Sequence, residues 1–492
     1  MLLTDQEFVR MAAEALSREV LPELKSKNAQ AAAGLCIQAL RELLHRDAVL
    51  PGIIGNILPK GTELLSQGRD LLARADIPVP SSAVSCASLQ ARAAIFSLLA
   101  KQLDDIAKDI LALARSSSPL AAEASVWLRA VAEWETDYYV TFQKLDMPEI
   151  GKTDISGRPL TAEILLAHLR QREPSLATAT IGRFESIPGG MSNETYFFDL
   201  CRDNEPPEPL VVRKKALRPF FDFWANRARD EFDIVTLLHA QGVPVARPLW
   251  LFEDMPDLDS DYYVMTRGSG SIVGAHDAAF GAGKTHPEPL LLNIAAFLGQ
   301  LHSLPLSAFE PYLETGDTTA RAGDTITDIV GKNVQFLHDY WLTSKRRPCA
   351  SEAFVLDWLA RNIPENHAPP SLVHTDCFVH NILVDEDFNI TTVVDWESAH
   401  FGDPAEDLAY IKDQVSATMD WAKFMDHYYR CGGRKIDEAH IDYYKTLLNF
   451  RNSWGTNIAV TRVDDGFFDI RMAALGSRYF TTWMETVLDA TK

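Results

Sequence analysis

Apolar positions in the first 145 residues recur at helical spacing and do not alternate as strands do. Thr4 and Glu7 form an S/T-x-x-E capping box ahead of a stripe of Phe8, Ala12, Leu16, Val20 and Leu24. Further amphipathic stretches cover roughly 28–46, 60–75, 87–115 and 119–144, with breaks at Pro51-Gly52, Pro59, Pro78 to Ser85 and Ser116 to Pro119. This pattern predicts four or five antiparallel helices in a bundle, with Glu133, Glu135 and Asp137 solvating one of them. Met147 to Pro159 shows no period and reads as a linker. Beyond it the pattern shortens. Phe184–Ile187, Thr195–Leu200, Leu210–Arg213 and Tyr262–Thr266 are β-prone runs interrupted by a helical stretch, Ala225–Gln241. After about residue 290 helical spacing returns, apart from three short apolar runs between 371 and 394. The expected fold class is α+β: an all-α bundle over 1–150, then a two-lobed unit with strands first and helices around a small hairpin after.

Composition narrows the function classes. The chain has 492 residues, 47% hydrophobic and 23% charged, enough for a sizeable core. Its 47 Lys+Arg against 68 Asp+Glu give a net charge of −21, most of it beyond residue 150. That balance argues against nucleic acid or an anionic membrane as partner, since both demand a basic footprint. No apolar run approaches the ~18 residues of a bilayer span, and the start lacks the pattern of a secretory signal. Six cysteines lie far apart without a C-x-x-C pair, so reduced thiols and a cytoplasmic location are expected.

The chemistry concentrates in one segment. Ser371-Leu-Val leads into His374-Thr-Asp376, Asn381 follows five positions after that aspartate, and a third apolar run ends at Asp395-Trp-Glu397. A hairpin turning at Asp385 to Asn389 would bring Asp376, Asn381 and Asp395 together although 19 positions separate the two aspartates. Phosphoryl transfer uses such groups: a carboxylate to accept a proton from the attacking hydroxyl, and hard oxygen donors for Mg²⁺.

This segment resembles the catalytic and metal-binding motifs of the aminoglycoside phosphotransferase/choline kinase-like family of ATP-dependent small-molecule kinases. Other landmarks follow in order. Ile187-Pro-Gly189-Gly190-Met-Ser192-Asn193 resembles the nucleotide loop, Leu210-Val-Val-Arg213 the basic strand, Asp230-Glu231 the acidic helix, Met265-Thr-Arg267 the hinge, and Leu298 to His302 the helix before the substrate-binding insertion. The resemblance covers about 160–490 and implies a two-lobed protein-kinase-like fold, with a β-rich N-lobe over 160–267 and a mainly helical C-lobe over 268–492. It implies Asp376 as catalytic base and His374 as support for its loop. Asn381 and Asp395 would be Mg²⁺ ligands, with Glu397 beside them. ATP contacts are implied at Gly189, Gly190, Ser192, Asn193, Arg213, Glu231, Met265 and Arg267. Arg213 stands where Lys is usual, and Lys214 would serve only after a register shift. Thr375 and Cys377 replace a common glycine and aromatic residue and read as packing changes. Asp403 and Asp407 read as helix caps and braces.

The motif style is nearest to a branch acting on hydroxyacyl-CoA thioesters. Phe220, Phe221, Phe223 and Trp224, with Phe336, Tyr340, Trp341 and Trp358, would floor an apolar pocket or pack the lobes. Arg346-Arg347 reads as a solvated basic turn or a CoA-phosphate contact. The expected partner is a hydroxylated small molecule, and the N-terminal bundle would offer a surface to a second copy or another protein. An antibiotic kinase for aminoglycosides or macrolides, and an inactive nucleotide-binding scaffold, stay open beside the metabolite-kinase reading.

Overall fold

The computed structural model describes residues 13, 16–24, 33–34, 36–37, 40, 57–78, 89–140, 158–187, 193–215, 227–273, 285–316, 318–461 and 480–491. Of the first expected helix the structure describes a short π-helix, Leu16–Val20, and a 3₁₀ turn, Leu21–Glu23. The capping box at Thr4 and Glu7, most of 25–56, the expected linker up to residue 157, and Gly189, Gly190, Ser192, Phe220, Phe221, Phe223 and Trp224 lie outside the described residues. The chain divides into two compact units, one of residues 1–153, 333–363 and 446–492, the other of 154–332 and 364–445. Compactness thus groups segments distant in sequence, where the expected boundaries followed the chain.

In the first unit, helices over 57–74, Leu89–Ala114 and Ala121–Val140 answer to three of the amphipathic stretches. Leu103, Ile110, Leu111, Leu128 and Val131 fill their interior. Two glycines set the helix spacing. A Cβ at Gly61 would stand 2.5 Å from the Trp134 ring, and one at Gly68 would stand 2.6 Å from Trp127. Each indole also donates across this contact, Trp134 to Ile57 O at 2.9 Å and Trp127 to Leu64 O at 2.8 Å.

Two sequence readings are corrected here. Glu135 is fully buried instead of solvating its helix. Its carboxylate accepts from Ser351 N at 2.8 Å and Ala350 N at 3.2 Å, capping helix Ser351–Arg361 from a distant segment. Arg346 is neither a solvated turn nor an open phosphate contact. It pairs with Asp104 at 2.8 Å and Glu352 at 3.4 Å and lies over the Trp341 ring. Of the aromatics, Trp341 is buried, and Tyr340 meets Trp454 edge-on.

The second unit holds the strands. β1 (Thr180–Ile187), β2 (Asn193–Cys201), β3 (Glu208–Lys215), β4 (Pro248–Phe252) and β5 (Tyr262–Thr266) form an antiparallel sheet in the order β1-β2-β3-β5-β4. Helix Ala228–Ala240 lies between β3 and β4 in sequence and packs on β3, β4 and β5. Beneath the sheet, Phe198, Leu200, Leu210, Val212, Tyr262 and Val264 pack with Leu165 and Leu169 of helix Ala162–Arg172. That helix and β4 have no counterpart in the sequence reading. Thr161 caps the helix, accepting from Ile164 N; β4 is a run of large apolar residues without alternation.

β6 (Ser271–Ile272), β8 (Ile382–Val384) and β9 (Ile390–Val393) make a three-stranded sheet, and β7 (Ser371–Val373) pairs with β10 (His400–Gly402). Helices Glu288–Ser303, Ala405–Ser416 and Trp421–Arg430 surround these strands. Strands followed by helices around a small hairpin are the α+β arrangement that the sequence pattern predicts. Among the described residues no single helix is long and apolar enough to cross a membrane.

Candidate active site

The β8–β9 hairpin brings candidate residues together through a short-range register. Ile382 pairs with Val393, and Val394 N donates to Asn381 O at 2.9 Å, so the strand ends sit together. Asn381 Nδ2 donates to Asp376 Oδ2 at 2.9 Å and to the Asp376 carbonyl at 3.0 Å. Amide and carboxylate are thereby fixed against each other, while the amide oxygen of Asn381 points its lone pairs elsewhere.

The loop before Asp376 is pinned from behind. His374 is fully buried; its Nε2 meets Val394 O at 3.0 Å and its ring lies against Trp396. His374 N donates to Asp407 Oδ2 at 3.0 Å and Thr375 N to Asp407 Oδ1 at 2.5 Å. His302 reaches the same carboxylate at 2.9 Å and hydrogen-bonds the Tyr428 hydroxyl at 3.0 Å. Burial opposes the Asp407 charge, but the bonds from His302 and the His374 backbone hold this carboxyl below its ordinary range. Asp407 is thus a brace for the loop itself, and Asp403 caps helix Ala405–Ser416 by accepting from Ala405 N at 2.9 Å. Thr375 has φ +65 and Asp395 φ +68, both left-handed. The change from glycine at Thr375 is therefore a matter of backbone as well as packing, since a β-branched residue is disfavoured there.

Opposite the hairpin stands the face of β3. Strand alternation puts Arg213 and Lys215 on one side and Lys214 on the other. Arg213 Nη2 lies 2.5 Å from Asp395 Oδ1, 3.3 Å from Glu231 Oε1 and 3.9 Å from Glu397 Oε2. Lys215 Nζ stands 3.8 Å from Glu231 and 4.0 Å from Glu397, a second cation that sequence reading passed over although it is two residues on. Lys214 is buried with Glu194 at 3.0 Å, so no register shift brings it to the site. Burial works against both charges of the Arg213–Glu231 pair. Asp395 and Glu231 nevertheless raise Arg213 well above its ordinary value, and Arg213 and Lys215 hold Glu231 below its own. Burial first, then Asp395, lifts Glu397 to about 7.

Asn193 donates through Nδ2 to Glu397 Oε2, while its Oδ1 is a buried acceptor with no partner among the described residues. An orphaned acceptor on the residue that holds Glu397 suits a hard cation. Mg²⁺ takes oxygen donors from one or two carboxylates and completes its shell with waters and phosphates. No cluster of three or more His, Cys, Asp or Glu arranged for a metal occurs among the described residues. The residues fit a cation that shares its ligands with a bound nucleotide. At the hinge, Met265 pairs with Val211 on one side and Pro248 on the other. Arg267 N donates to Pro209 O at 3.2 Å, and its guanidinium covers the Phe197 ring at 4.2 Å. Both residues are thus engaged within the sheet.

Sequence reading also missed two neighbours of Asp376. Its Oδ1 is met by His380 Nε2 at 3.1 Å and by the Tyr410 hydroxyl. His380 could have been found four positions after the aspartate, in the same loop; Tyr410 comes from a helix 34 positions on and left no local signal.

The model of the family described as APH, phosphotransferase enzyme family, matches residues 183–439, just over half of the chain. Acyl-CoA dehydrogenase family member 11 of Mus musculus is 27% identical over 256 residues, covering 50% of this chain and 30% of that protein. Family member 10 of the same species is 27% identical over 238 residues, covering 48% of this chain and 21% of that protein. The chain spans less than a third of the length of these relatives. A crystal structure of a candidate aminoglycoside phosphotransferase from Ralstonia eutropha is 19% identical with a TM-score of 0.50, covering 68% of this chain and 98% of that one. That likeness shows the kinase-like fold. The chain belongs to the phosphotransferase enzyme family.

Proposed function

We propose that this member of the phosphotransferase enzyme family transfers the γ-phosphoryl group of ATP to a hydroxyl of a small acyl-type or apolar metabolite, with Asp376 as base. The observation that carries the reading is the chain of contacts Glu231–Arg213–Asp395 facing Asn381 and Asp376. The two groups of contacts are linked by the Val394 N bond to Asn381 O, and cations, hard oxygen donors and a carboxylate are the parts such a transfer would use.

Asp376 would accept the acceptor's proton as its oxygen attacks the γ-phosphorus, and Asn381 would keep the carboxylate aimed. Arg213 and Lys215 would meet phosphate oxygens, and Glu231 would hold both cations in place. Asn381, Asp395 and Glu397 would hold Mg²⁺, which when bound offsets phosphate charge. His374 and Asp407 touch no substrate; they keep the Asp376 loop in its left-handed turn. Support for an acyl-type acceptor comes from the two relatives named for acyl-CoA dehydrogenation.

The test is Mg²⁺-dependent phosphate transfer from ATP across a panel of hydroxyacids, hydroxyacyl-CoAs, aminoglycosides and macrolides. Turnover confined to hydroxyacyl-CoAs or hydroxyacids supports the reading. Turnover of an antibiotic alone favours a resistance kinase, and ATP binding without turnover favours a scaffold.

A further inference from the structure

We propose that Tyr410 guards the catalytic carboxylate, holding the position on Asp376 Oδ1 from which the acceptor hydroxyl must donate, and so keeps water from serving as acceptor. The inference rests on Asp376 being the base and adds how that base distinguishes among hydroxyls.

The oxygens of Asp376 are shared out unequally. Oδ2 accepts from Asn381, whose amide belongs to the same loop and is fixed by the hairpin. Oδ1 accepts from His380 Nε2, also in the loop, and from the Tyr410 hydroxyl. Tyr410 alone among these donors comes from another element, helix Ala405–Ser416, and it alone brings the functional group that an acceptor brings. An O–H donor on an ionised carboxylate is a strong hydrogen bond, so an incoming hydroxyl must offer as much to replace it. A substrate held by its other groups meets that requirement through added contacts. A lone water has no such contacts and competes poorly.

The helix makes the guard stiff. Asp407, one turn before Tyr410, is fully buried and receives the backbone N–H groups of His374 and Thr375 as well as His302. One helix face therefore sets the base's loop and the phenol that covers the base, fixing their separation. Tyr410 itself is half-buried and reaches the carboxylate from the side. Burial and the neighbouring Asp376 push its hydroxyl well above its ordinary value, so it stays a proton donor.

In the reaction that the guard suppresses, a water oxygen bonds to the γ-phosphorus and the bond from that phosphorus to the bridging oxygen of ADP breaks. One water proton passes to Asp376. The products are ADP and inorganic phosphate.

The experiment is phosphate release by the full chain from ATP and Mg²⁺ with no acceptor added. Tyr410→Phe keeps the ring and removes the hydroxyl. The expected result is a rise of about tenfold in acceptor-free release, the scale of losing one hydrogen bond to a charged group. Release that is unchanged, or that falls, overturns the proposal. Tyr410→Leu gives the same reading should Tyr410→Phe not fold, with thermal unfolding recorded for each. Asp376→Asn alone tests the base: if it leaves transfer intact, the base assignment fails. If Asp376→Asn abolishes turnover while Tyr410→Phe shows no rise, only the guard fails. A rise that persists in the doubly substituted chain also overturns the guard, because release would not depend on the carboxylate.

Discussion

Arg213 donates to Asp395 at 2.5 Å, tying the end of β3 to the left-handed residue just after the β8–β9 hairpin. The same guanidinium reaches Glu231, which is almost fully buried. Removing this cation would leave the buried Glu231 carboxylate with Lys215 alone at 3.8 Å, and Asp395 without its guanidinium partner. Arg213→Met should therefore cost about 3–5 kcal/mol in denaturant unfolding, the range for breaking a buried pair from one side. Arg213→Met combined with Glu231→Gln should recover part of that loss. A double variant as unstable as the single one contradicts the coupling.

Asp407→Asn removes one charged acceptor from the His374 and Thr375 amides. About 2–3 kcal/mol of stability should be lost, as for hydrogen bonds to a charged group. Faster hydrogen exchange at the Thr375 amide, read against amides of β1, would locate the loss in the loop. Uniform acceleration would place it elsewhere.

Thr375→Gly should act in the opposite sense. The left-handed backbone at φ +65 costs a β-branched residue roughly 1–2 kcal/mol, and the Oγ1 bond to Ser398 O at 3.3 Å returns part of it. A net gain of about 1 kcal/mol in the unfolding midpoint analysis is expected. A loss would mean that the hydroxyl contact outweighs the strain.

How much of this was legible beforehand follows the range of the contacts. Asn381 and Asp395 flank the β8–β9 hairpin with its Asx-rich turn and Asp376 lies in the loop just before it, so spacing alone predicts that they come close. Arg213 and Glu231 were legible only through the family resemblance, which pairs a basic strand with an acidic helix, and they do meet at 3.3 Å. Alternation should also have given Lys215. Tyr410, the brace at Asp407 and the cap at Glu135 were hidden because their partners lie tens to hundreds of positions away. A carboxylate that caps a helix from another segment looks like any surface glutamate in sequence.

The first unit offers a pH test. Burial lifts the Glu352 carboxyl to about 7 from its ordinary 4.5, with Arg346 acting against it. The folded chain then holds a proton that the unfolded chain releases above 4.5. Stability from this group is full below that value and is lost as pH rises through about 7. Burial pushes Glu135 the same way. Glu352→Gln should flatten the decline of the unfolding temperature between pH 4.5 and 7. An unaltered slope contradicts the assignment.

Gly68→Ala would press a methyl group to 2.6 Å from the Trp127 ring. Overpacking of this kind costs about 1–3 kcal/mol, and the loss should appear in thermal unfolding. Wild-type stability would mean the helices separate freely there.

The central claim is that Asp376 is the base of a phosphoryl transfer. The most direct measurement pairs calorimetric Mg·ATP binding with steady-state transfer for Asp376→Asn, using the first acceptor turned over by the unaltered chain. Nucleotide affinity should stay within a few-fold while turnover falls about 10²–10⁴-fold, the usual contribution of general-base catalysis. Turnover that survives unchanged in Asp376→Asn would contradict the account.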